Sequence, residues 1–542
     1  MMNNYKNKVW PIAAGSIFAL AALATVGLMM KVAGLDMLPT KYFVLAVLVV
    51  VFLLAFIFVG LFPLPWKKKV ENVENTEATE STEATNKKPV ANYVVRTIAM
   101  ILAIALLCVD VVGIQMIYKF EETMSNLSQG DGVKVEEFVI GVYVRAEDKA
   151  QNLEDAKRYS FAYSLGYDRN NTRKAISVMQ EELDRTLDLE ENTSIPAMVD
   201  AVLAGEKDAF ILSVEYMDIL TDQEGYADLD SKVKCIHECV VTVETEIVER
   251  EEEDFDITKD PFVVYLSGQD VTFRSSRSRS DVNILAVVNP STKQVLLINT
   301  PRDYYVQPSV APAGQLDKLT HCGIYGINCS MDTLMDLYDV DIIHYAQINF
   351  TGFERLIDAV GGISVYCEKT ISTHDGYTFT KGMNQLDGEH ALRFVRERKL
   401  FEDGDHARGR HQMAVIKGLI AKMSSGSLLT NYDRVLDSMG KFFKTSLAQE
   451  DVSTLVKMQL EDMAEWNVQS FAVDGTGKFK KTYSMPDENA YVMIPNEAAV
   501  SHAKSLIQMV FDGETIEKED LVIPVQPEAE DAESIEGTEI EN

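Results

Sequence analysis

Five arginines crowd one short stretch of an otherwise acidic chain. In HALRFVRERKLFEDGDHARGRHQ, residues 390–412, Arg393, Arg396, Arg398, Arg408 and Arg410 stand within 542 residues whose formal net charge is −32. A guanidinium keeps its proton and presents a planar fork of donors, so several converging on one point suit phosphate or pyrophosphate. If residues 394–398 run extended, Arg396 and Arg398 share one face. Asp403, Gly404 and Asp405 then make a loop, after which Arg408 and Gln412 stand at i and i+4 on one face of a new helix. The competing reading is a solvated face in which Glu397, Glu402, Asp403 and Asp405 neutralise the arginines. No Walker-type P-loop, G-x-S-x-G elbow or H-E-x-x-H occurs, which removes the ordinary kinase, esterase and zincin readings. What remains is arginines and carboxylates, the parts that transfer at a pyrophosphate requires, since that chemistry is mostly positioning and charge neutralisation.

The spacing resembles that of the LytR-CpsA-Psr family. FVRER, then GDHAR, then Arg408 and Gln412 match its FVRxR, GDxxR and R-x-x-x-Q pattern. RSDVNILAVVNPSTKQVLLINTPRDYYV (279–306) is similar to its RSD…NP…K…PRD block, and DKLTHCGIYG (317–326) to its K-x-x-H-A-x-x-x-G segment. The likeness covers roughly residues 263–424. It implies that Arg302, Lys318, Arg396, Arg398, Arg408 and Gln412 grip a pyrophosphate, with Arg302, Arg398 and Arg408 in the catalytic group and Asp405 as general base. It maps the metal-binding aspartates onto Asp270 and Asp281, for Mg2+, which takes few protein carboxylates and keeps waters or phosphate oxygens. The implied activity moves an anionic glycopolymer, of teichoic acid or capsular polysaccharide type, from undecaprenyl pyrophosphate to peptidoglycan. Two alternatives of other classes stay open: a protein that binds the lipid pyrophosphate without turnover, and a pyrophosphatase that uses water. A sequence pI of about 4.7 argues against nucleic acid as a partner.

The elements that must position these residues read as α/β, with an α/β/α catalytic domain around a mixed central sheet at 260–513. Strands at 282–288 and 294–299 flank an Asn-Pro-Ser-Thr-Lys turn and run antiparallel, delivering Pro301-Arg302-Asp303 to a strand end, a common place for site residues. Further strands are expected at 262–266, 345–350, 363–367 and 468–473, and helices at 330–337, 353–360, 432–444, 451–463 and 499–511. Another helix follows the arginine block, with Met413, Ile416, Ile420 and Met423 as its apolar stripe. An accessory α/β module at 133–256, with strands at 138–145, 208–214 and 234–248 and helices at 176–187 and 195–203, shows no cluster of polar ligand groups or phosphate-chemistry residues and reads as a spacer, the alternative being a small-ligand site. The acidic tail, 514–542, cannot bury a core and is expected to be disordered.

Residues 1–120 form a membrane region. Apolar stretches at 11–30, 42–64 and 97–118 each reach the ~20 residues a spanning helix needs, and a polar linker at 67–92 joins the second to the third. Lys6, Lys8, Lys67, Lys68, Lys69, Lys87 and Lys88 put the N-terminus and that linker on the cytoplasmic side. The C-terminal part of a multi-pass membrane protein then lies outside, with the bilayer as a partner, and the family resemblance implies a Gram-positive envelope. Asp110 inside the third span is either paired or interfacial. Of six cysteines, Cys235 and Cys239 with His237 share a strand face without a fourth zinc ligand. A bridge between Cys322 and Cys329 is left open by spacing alone.

Overall fold

The computed structural model describes residues 2–62, 90–127, 133–165, 168–221, 223–246, 255–269, 277–373, 376–397, 400, 404–425, 434–438, 442–486 and 489–524. Most of the 67–92 linker and the end of the acidic tail therefore lie outside the described residues, as do Asp270 and Arg398. The chain divides into two compact units that cut across the expected boundaries. Met1–Ser128 joins Tyr432–Gly440 and Leu447–Ala464 in one; Gln129–Asn431, Lys441–Ser446 and Glu465–Asn542 make the other.

The first unit is built on three helices, α1 (Met2–Leu35), α2 (Thr40–Leu61) and α3 (Val90–Leu127). Within them Trp10–Leu35, Thr40–Leu61 and Val94–Ser125 are long and apolar enough to span a bilayer. Small residues let the helices approach: a Cβ on Gly60 would stand 2.7 Å from the Cβ of Ala99, and Ala14, Ala99 and Ala103 are buried beside Ile57 and Leu61. Asp110 is paired rather than interfacial. It is 1% exposed and accepts a 2.6 Å hydrogen bond from Thr25, whose hydroxyl also lies 2.8 Å from the Ala21 carbonyl. Polar pairs gather near the turn between α1 and α2 and the end of α3: Lys31 with Glu121 at 2.9 Å, Asp36 with Lys457 at 2.7 Å, and Lys119 with Asp437 at 2.7 Å. Lys457 belongs to the helix Gln449–Asp462, which packs in this unit.

The second unit carries two main sheets. The accessory sheet comprises β1 (Val133–Arg145), β2 (Ser160–Tyr163), β3 (Asp188–Glu191), β4 (Ala209–Ser213) and β5 (Val233–Glu246), in the order β3-β2-β4-β1-β5. Helices α4 (Arg169–Glu182), α5 (Ile195–Leu203) and α6 (Val214–Thr221) complete it. Helix α4 stops short of residue 187 because Asp184 turns left-handed at φ 46°. A bulge opposite Val142 and Tyr143 interrupts β5, so Cys235 is exposed while Cys239 is buried. The expected one-faced Cys-His-Cys set is thereby broken up.

The larger sheet begins with β6 (Phe262–Gln269), β7 (Ser280–Asn289) and β8 (Gln294–Asn299). It continues through α7 (Ile327–Tyr338), β9 (His344–Asn349), α8 (Phe350–Ala359), β10 (Ile363–Cys367), β11 (Gly382–Leu386), α9 (Gly388–Arg396) and α10 (Gly404–Ser424). It closes with β12 (Phe443–Thr445), then Gln449–Asp462 as α11, β13 (Asn467–Ala472), the hairpin β14 (Gly475–Lys481) and β15 (Asn489–Pro495), and α12 (Glu497–Phe511). The strand order is β12-β9-β6-β7-β8-β13. The pairs β9 with β6 and β13 with β8 are parallel, while β7 runs antiparallel to both neighbours. Val263, Tyr265, Leu285, Val287, Leu296 and Ile298 of the central strands pack with Leu334 and Tyr338 of α7 and Ala503, Leu506 and Val510 of α12. Strands buried in this way are apolar runs rather than alternating ones, which is why the β7–β8 hairpin is plain in the sequence.

Two expectations fail here. Residues 394–396 are helical, not extended, because Asp387 caps α9 by accepting the His390 amide at 2.9 Å and Glu389 reaches Arg393 one turn on. Instead of helix throughout 432–444, Phe443–Thr445 adds an edge strand to Ala346–Ile348, where open backbone groups of β9 supply partners that a helix could not use.

Candidate active site

Strand polarity brings the candidate residues to one edge of the larger sheet. The C-terminal ends of β6, β8, β9 and β13 and the start of β7 meet there, the end at which α/β sheets place their ligands. Asp281 is the second residue of β7. Its neighbour Ser280 is 1% exposed and sits in a hydrogen-bonded cluster, 2.9 Å from the Tyr265 hydroxyl and 2.8 Å from that of Ser267, while Asn283 donates to the Ser280 carbonyl at 2.9 Å. Tyr265 also donates to Asn283 at 2.6 Å. Burial pushes its hydroxyl up to about 12, so it remains a donor at neutral pH. This cluster fixes where the Asp281 carboxylate points.

Arg302 follows β8 and donates to Asp281 Oδ1 at 3.0 Å, and Thr320 donates to the same oxygen at 3.3 Å. The other side of the guanidinium stands 3.7 Å from Asp303, which in turn lies 3.3 Å from the Lys318 ammonium. Asp281, Arg302, Asp303 and Lys318 thus form one chain of alternating charge. Burial by itself would raise the Asp281 carboxyl, but the positive charges of Arg302, Arg279 and Arg408 outweigh it and hold the group below the ordinary carboxylate range. The sequence marks Asp303 only as part of Pro301-Arg302-Asp303 and gives no sign of a role for Thr320, although both stand inside the quoted blocks.

Lys318 is held by a second, fully buried cluster. Asp317, His321 and Ser484 are 0%, 1% and 0% exposed. Asp317 Oδ1 lies 2.6 Å from His321 Nδ1 and accepts the Lys318 amide at 2.7 Å; the Ser484 hydroxyl lies 3.1 Å from the same oxygen and 2.8 Å from the same ring nitrogen. The three residue types are those of a hydrolase triad, but the geometry is not. In a triad the acid and the serine use opposite nitrogens of the imidazole, and the serine reaches substrate. Here both crowd Nδ1 and nothing reaches solvent, so the cluster is scaffolding for Lys318.

The arginine block arrives from α9 and α10. Arg396 ends α9 with its guanidinium 4.5 Å from the centre of the Phe350 ring, at the end of β9. Helix α10 rests on β8 through Gly409, where a Cβ would meet the Asn299 side chain at 2.3 Å. That close approach sets Arg408, whose charge reaches Asp281, and the buried Gln412 near the end of β8. Asp405 falls in the first turn of α10, with its side chain outside the description. Arg393 and Arg410 are engaged elsewhere, with Glu389 at 2.6 Å and with Glu368 at 3.5 Å. The described part of the site is therefore Asp281, Arg302, Lys318 and Arg408 with Arg279, Asp303 and Thr320; Arg396 and Gln412 stand on adjoining elements.

A buried carboxylate with arginines and a lysine around it stands at the strand ends of a mixed α/β sheet, an arrangement with the charge to receive a compact polyanion. Residues 231–503 match the LytR_cpsA_psr family, and the chain belongs to it. Among its relatives, the polyisoprenyl-teichoic acid–peptidoglycan teichoic acid transferase TagU of Enterococcus faecalis is 36% identical over 44% of this chain and 79% of its own length. The Bacillus subtilis transferase of the same description, TagT, is 34% identical over 36% of this chain and 64% of its own. A crystal structure of B. subtilis TagV, 24% identical, aligns over 48% of this chain and 99% of that one with a TM-score of 0.40.

Proposed function

We propose that this protein transfers an anionic glycopolymer, of teichoic acid or capsular type, from a polyprenyl pyrophosphate carrier such as undecaprenyl pyrophosphate to peptidoglycan. The observation that carries the reading is the Asp281, Arg302, Asp303 and Lys318 chain with Arg408 beside it, because cations held in place among buried groups stabilise charge developing on a pyrophosphate without reorganising. The names of the relatives support the donor and acceptor classes. In the proposed reaction an acceptor hydroxyl oxygen bonds to the phosphorus that bears the glycan, and the bond from that phosphorus to the bridging oxygen breaks. The polyprenyl phosphate leaves with the bonding pair, and the hydroxyl proton passes to Asp405. Arg302, Arg408 and Lys318, joined by Arg396, Arg398 and Gln412, would hold the pyrophosphate oxygens.

A magnesium ion fits the described donors. Asp281 is ionised, as a ligand must be, and the ion needs only one or two protein carboxylates when phosphate oxygens and water complete its shell. Asp281, with Asp270, would hold it, and it would supply charge neutralisation at the pyrophosphate when bound. We place the N-terminus in the cytoplasm and the catalytic domain outside. The lysines ahead of the first helix and in the linker support this orientation, as do the ion pairs of Asp36 and Lys119 with Lys457 and Asp437, which gather one end of the helices with a segment from late in the chain.

The deciding experiment incubates the full chain in lipid nanodiscs with a polyprenyl-pyrophosphate glycan, magnesium and peptidoglycan oligomers. A glycan covalently joined to peptidoglycan is expected. Release of glycan phosphate into water alone would make the protein a pyrophosphatase, and tight binding without either product would make it a carrier-binding protein.

A further inference from the structure

The β14–β15 hairpin stands out from the rest of an acidic surface. Its first strand reads GTGKFKK, and Lys478, Lys480 and Lys481 are all exposed without an ion pair to any described residue. Phe479 is directly opposite Tyr491 in the antiparallel register, with ring centres 6.0 Å apart and nearly perpendicular. Both rings face solvent, Phe479 being 67% and Tyr491 41% exposed. Gly477 extends this platform: a Cβ there would stand 2.7 Å from the Tyr491 hydroxyl, so the tyrosine lies flat across the glycine. The opposite face keeps Val492 and Ala490 buried, which fixes the outward direction of the two rings; by register Lys481 shares their face, while Lys478 and Lys480 stand opposite Val492 and Ala490 on the other side of the strand and are exposed there. A paired aromatic face is an energetic liability when it is only solvated.

The hairpin is continuous with the candidate site. The Met493 amide donates to the Asp303 carbonyl at 2.7 Å, Tyr304 bridges to Met493, the Tyr305 hydroxyl donates to the Lys481 carbonyl at 2.7 Å, and the Tyr483 amide donates to the Leu316 carbonyl at 2.9 Å. It is thus hydrogen-bonded to the two loops that carry Arg302, Asp303 and Lys318. Seven residues of strand give a strip roughly 20 Å long beside those loops.

We infer that this hairpin binds the anionic glycan part of the donor, the phosphate- or carboxylate-bearing repeats beyond the pyrophosphate. The inference rests on the function proposed above. Lysine ammoniums are point charges suited to repeated, loosely placed anions, in contrast to the guanidiniums at the reacting centre. The aromatic faces offer flat apolar surface to the C–H faces of sugar rings. Continuity with the loops of Arg302 and Lys318 favours the glycan over a lipid surface as occupant, because a donor whose pyrophosphate is held there must lead its polymer away from that point.

The test uses the full chain in nanodiscs of phosphatidylcholine and a fluorescent synthetic glycerol phosphate octamer, with a neutral gluco-oligosaccharide as control. The parent is expected to bind the octamer with an affinity that falls as salt rises. K478Q/K480Q/K481Q is expected to weaken it about tenfold or more and flatten the salt dependence, and F479A/Y491A to weaken it while leaving the salt slope unchanged. Equal binding by parent and lysine variant would overturn the inference, as would parent binding only to phosphatidylglycerol vesicles, which would make the hairpin a membrane contact. Turnover separates this from the proposed activity. With a polyprenyl-pyrophosphate disaccharide that lacks polymer the lysine variant should match the parent, and with a polymer donor its KM alone should rise. Were neither protein to turn over either donor, the activity reading would fail while the octamer titration still decided the hairpin.

Discussion

At the scale of single residues, charge placement makes separable predictions. A carboxylate whose folded value is depressed contributes stability above its unfolded value, near 4, and loses it as pH falls through the lower folded value. Asp281 is such a group. The stability gap between the parent and Asp281→Asn is therefore expected to be constant between about pH 5 and 8 and to close below about pH 4; denaturant melts across that range check it, and a gap that closes near neutrality would contradict the assignment. Arg302 spans two carboxylates, Asp281 and Asp303, a bridge that a lysine cannot copy with one point charge. Arg302→Lys should lose turnover on the order of tenfold or more, about 1.4 kcal/mol in the transition state. Arg393→Lys should stay within about twofold, because its pair with Glu389 is an exposed one of the kind worth little. Rates of the two variants measured side by side test the contrast. The arginines and the PRD end of the hairpin could be read from sequence. The Asp303 to Lys318 pairing could not, because it depends on how two loops close on each other, which no local periodicity encodes.

The elements show where local signals suffice and where they do not. The β7–β8 hairpin and the strands around it are apolar runs broken by an Asn-Pro turn, and they were legible. Within 394–398, FVRER by itself does not settle between strand and helix; the deciding signal for 394–396 is Asp387, a cap seven residues before Phe394. In the β14–β15 hairpin the first strand, GTGKFKK, has a single large apolar residue, so only the second strand carries a strand signal and the pairing is not marked in the sequence. Gly409 is a further element-scale feature, invisible until the helix meets the sheet. Gly409→Ala should push α10 off Asn299 and destabilise the fold by about 1–3 kcal/mol, and the displaced Arg408 should lower turnover as well; a thermal melt and an assay on the same sample test both. Ser484 separates scaffold from nucleophile. Ser484→Ala removes one buried hydrogen-bonding group at a cost of about 1–2 kcal/mol, so activity should decline through Lys318 without vanishing. Complete loss of turnover in a variant that melts like the parent would restore a catalytic role.

For the whole molecule, the accessory module is less of a spacer than its lack of phosphate-binding residues suggests. Its core takes in Ile324 and Met485 from the catalytic domain beside Tyr216, Met217 and Leu220 of α6. Buried Glu136 of β1 pairs with Arg277, just ahead of the Asp281 strand. Replacing residues 133–246 with a flexible linker should therefore lower the melting temperature and raise hydrogen exchange around Ile324, where a true spacer could be removed without effect. No pattern in the sequence marks which apolar residues of one module will face another. The assignment of Gln449–Asp462 to the unit of the membrane helices carries a different kind of consequence, one of timing. During synthesis α1 to α3 emerge first, yet the helix that brings Lys457 to Asp36 emerges only after most of the second unit has been made. At ~5–20 residues per second that interval is on the order of tens of seconds. Throughout it the unit of the three long apolar helices waits incomplete, with the Asp36 carboxylate lacking the late-arriving lysine. A nascent chain halted before residue 449 should thus keep its three helices and leave that end of them open to proteases and chaperones.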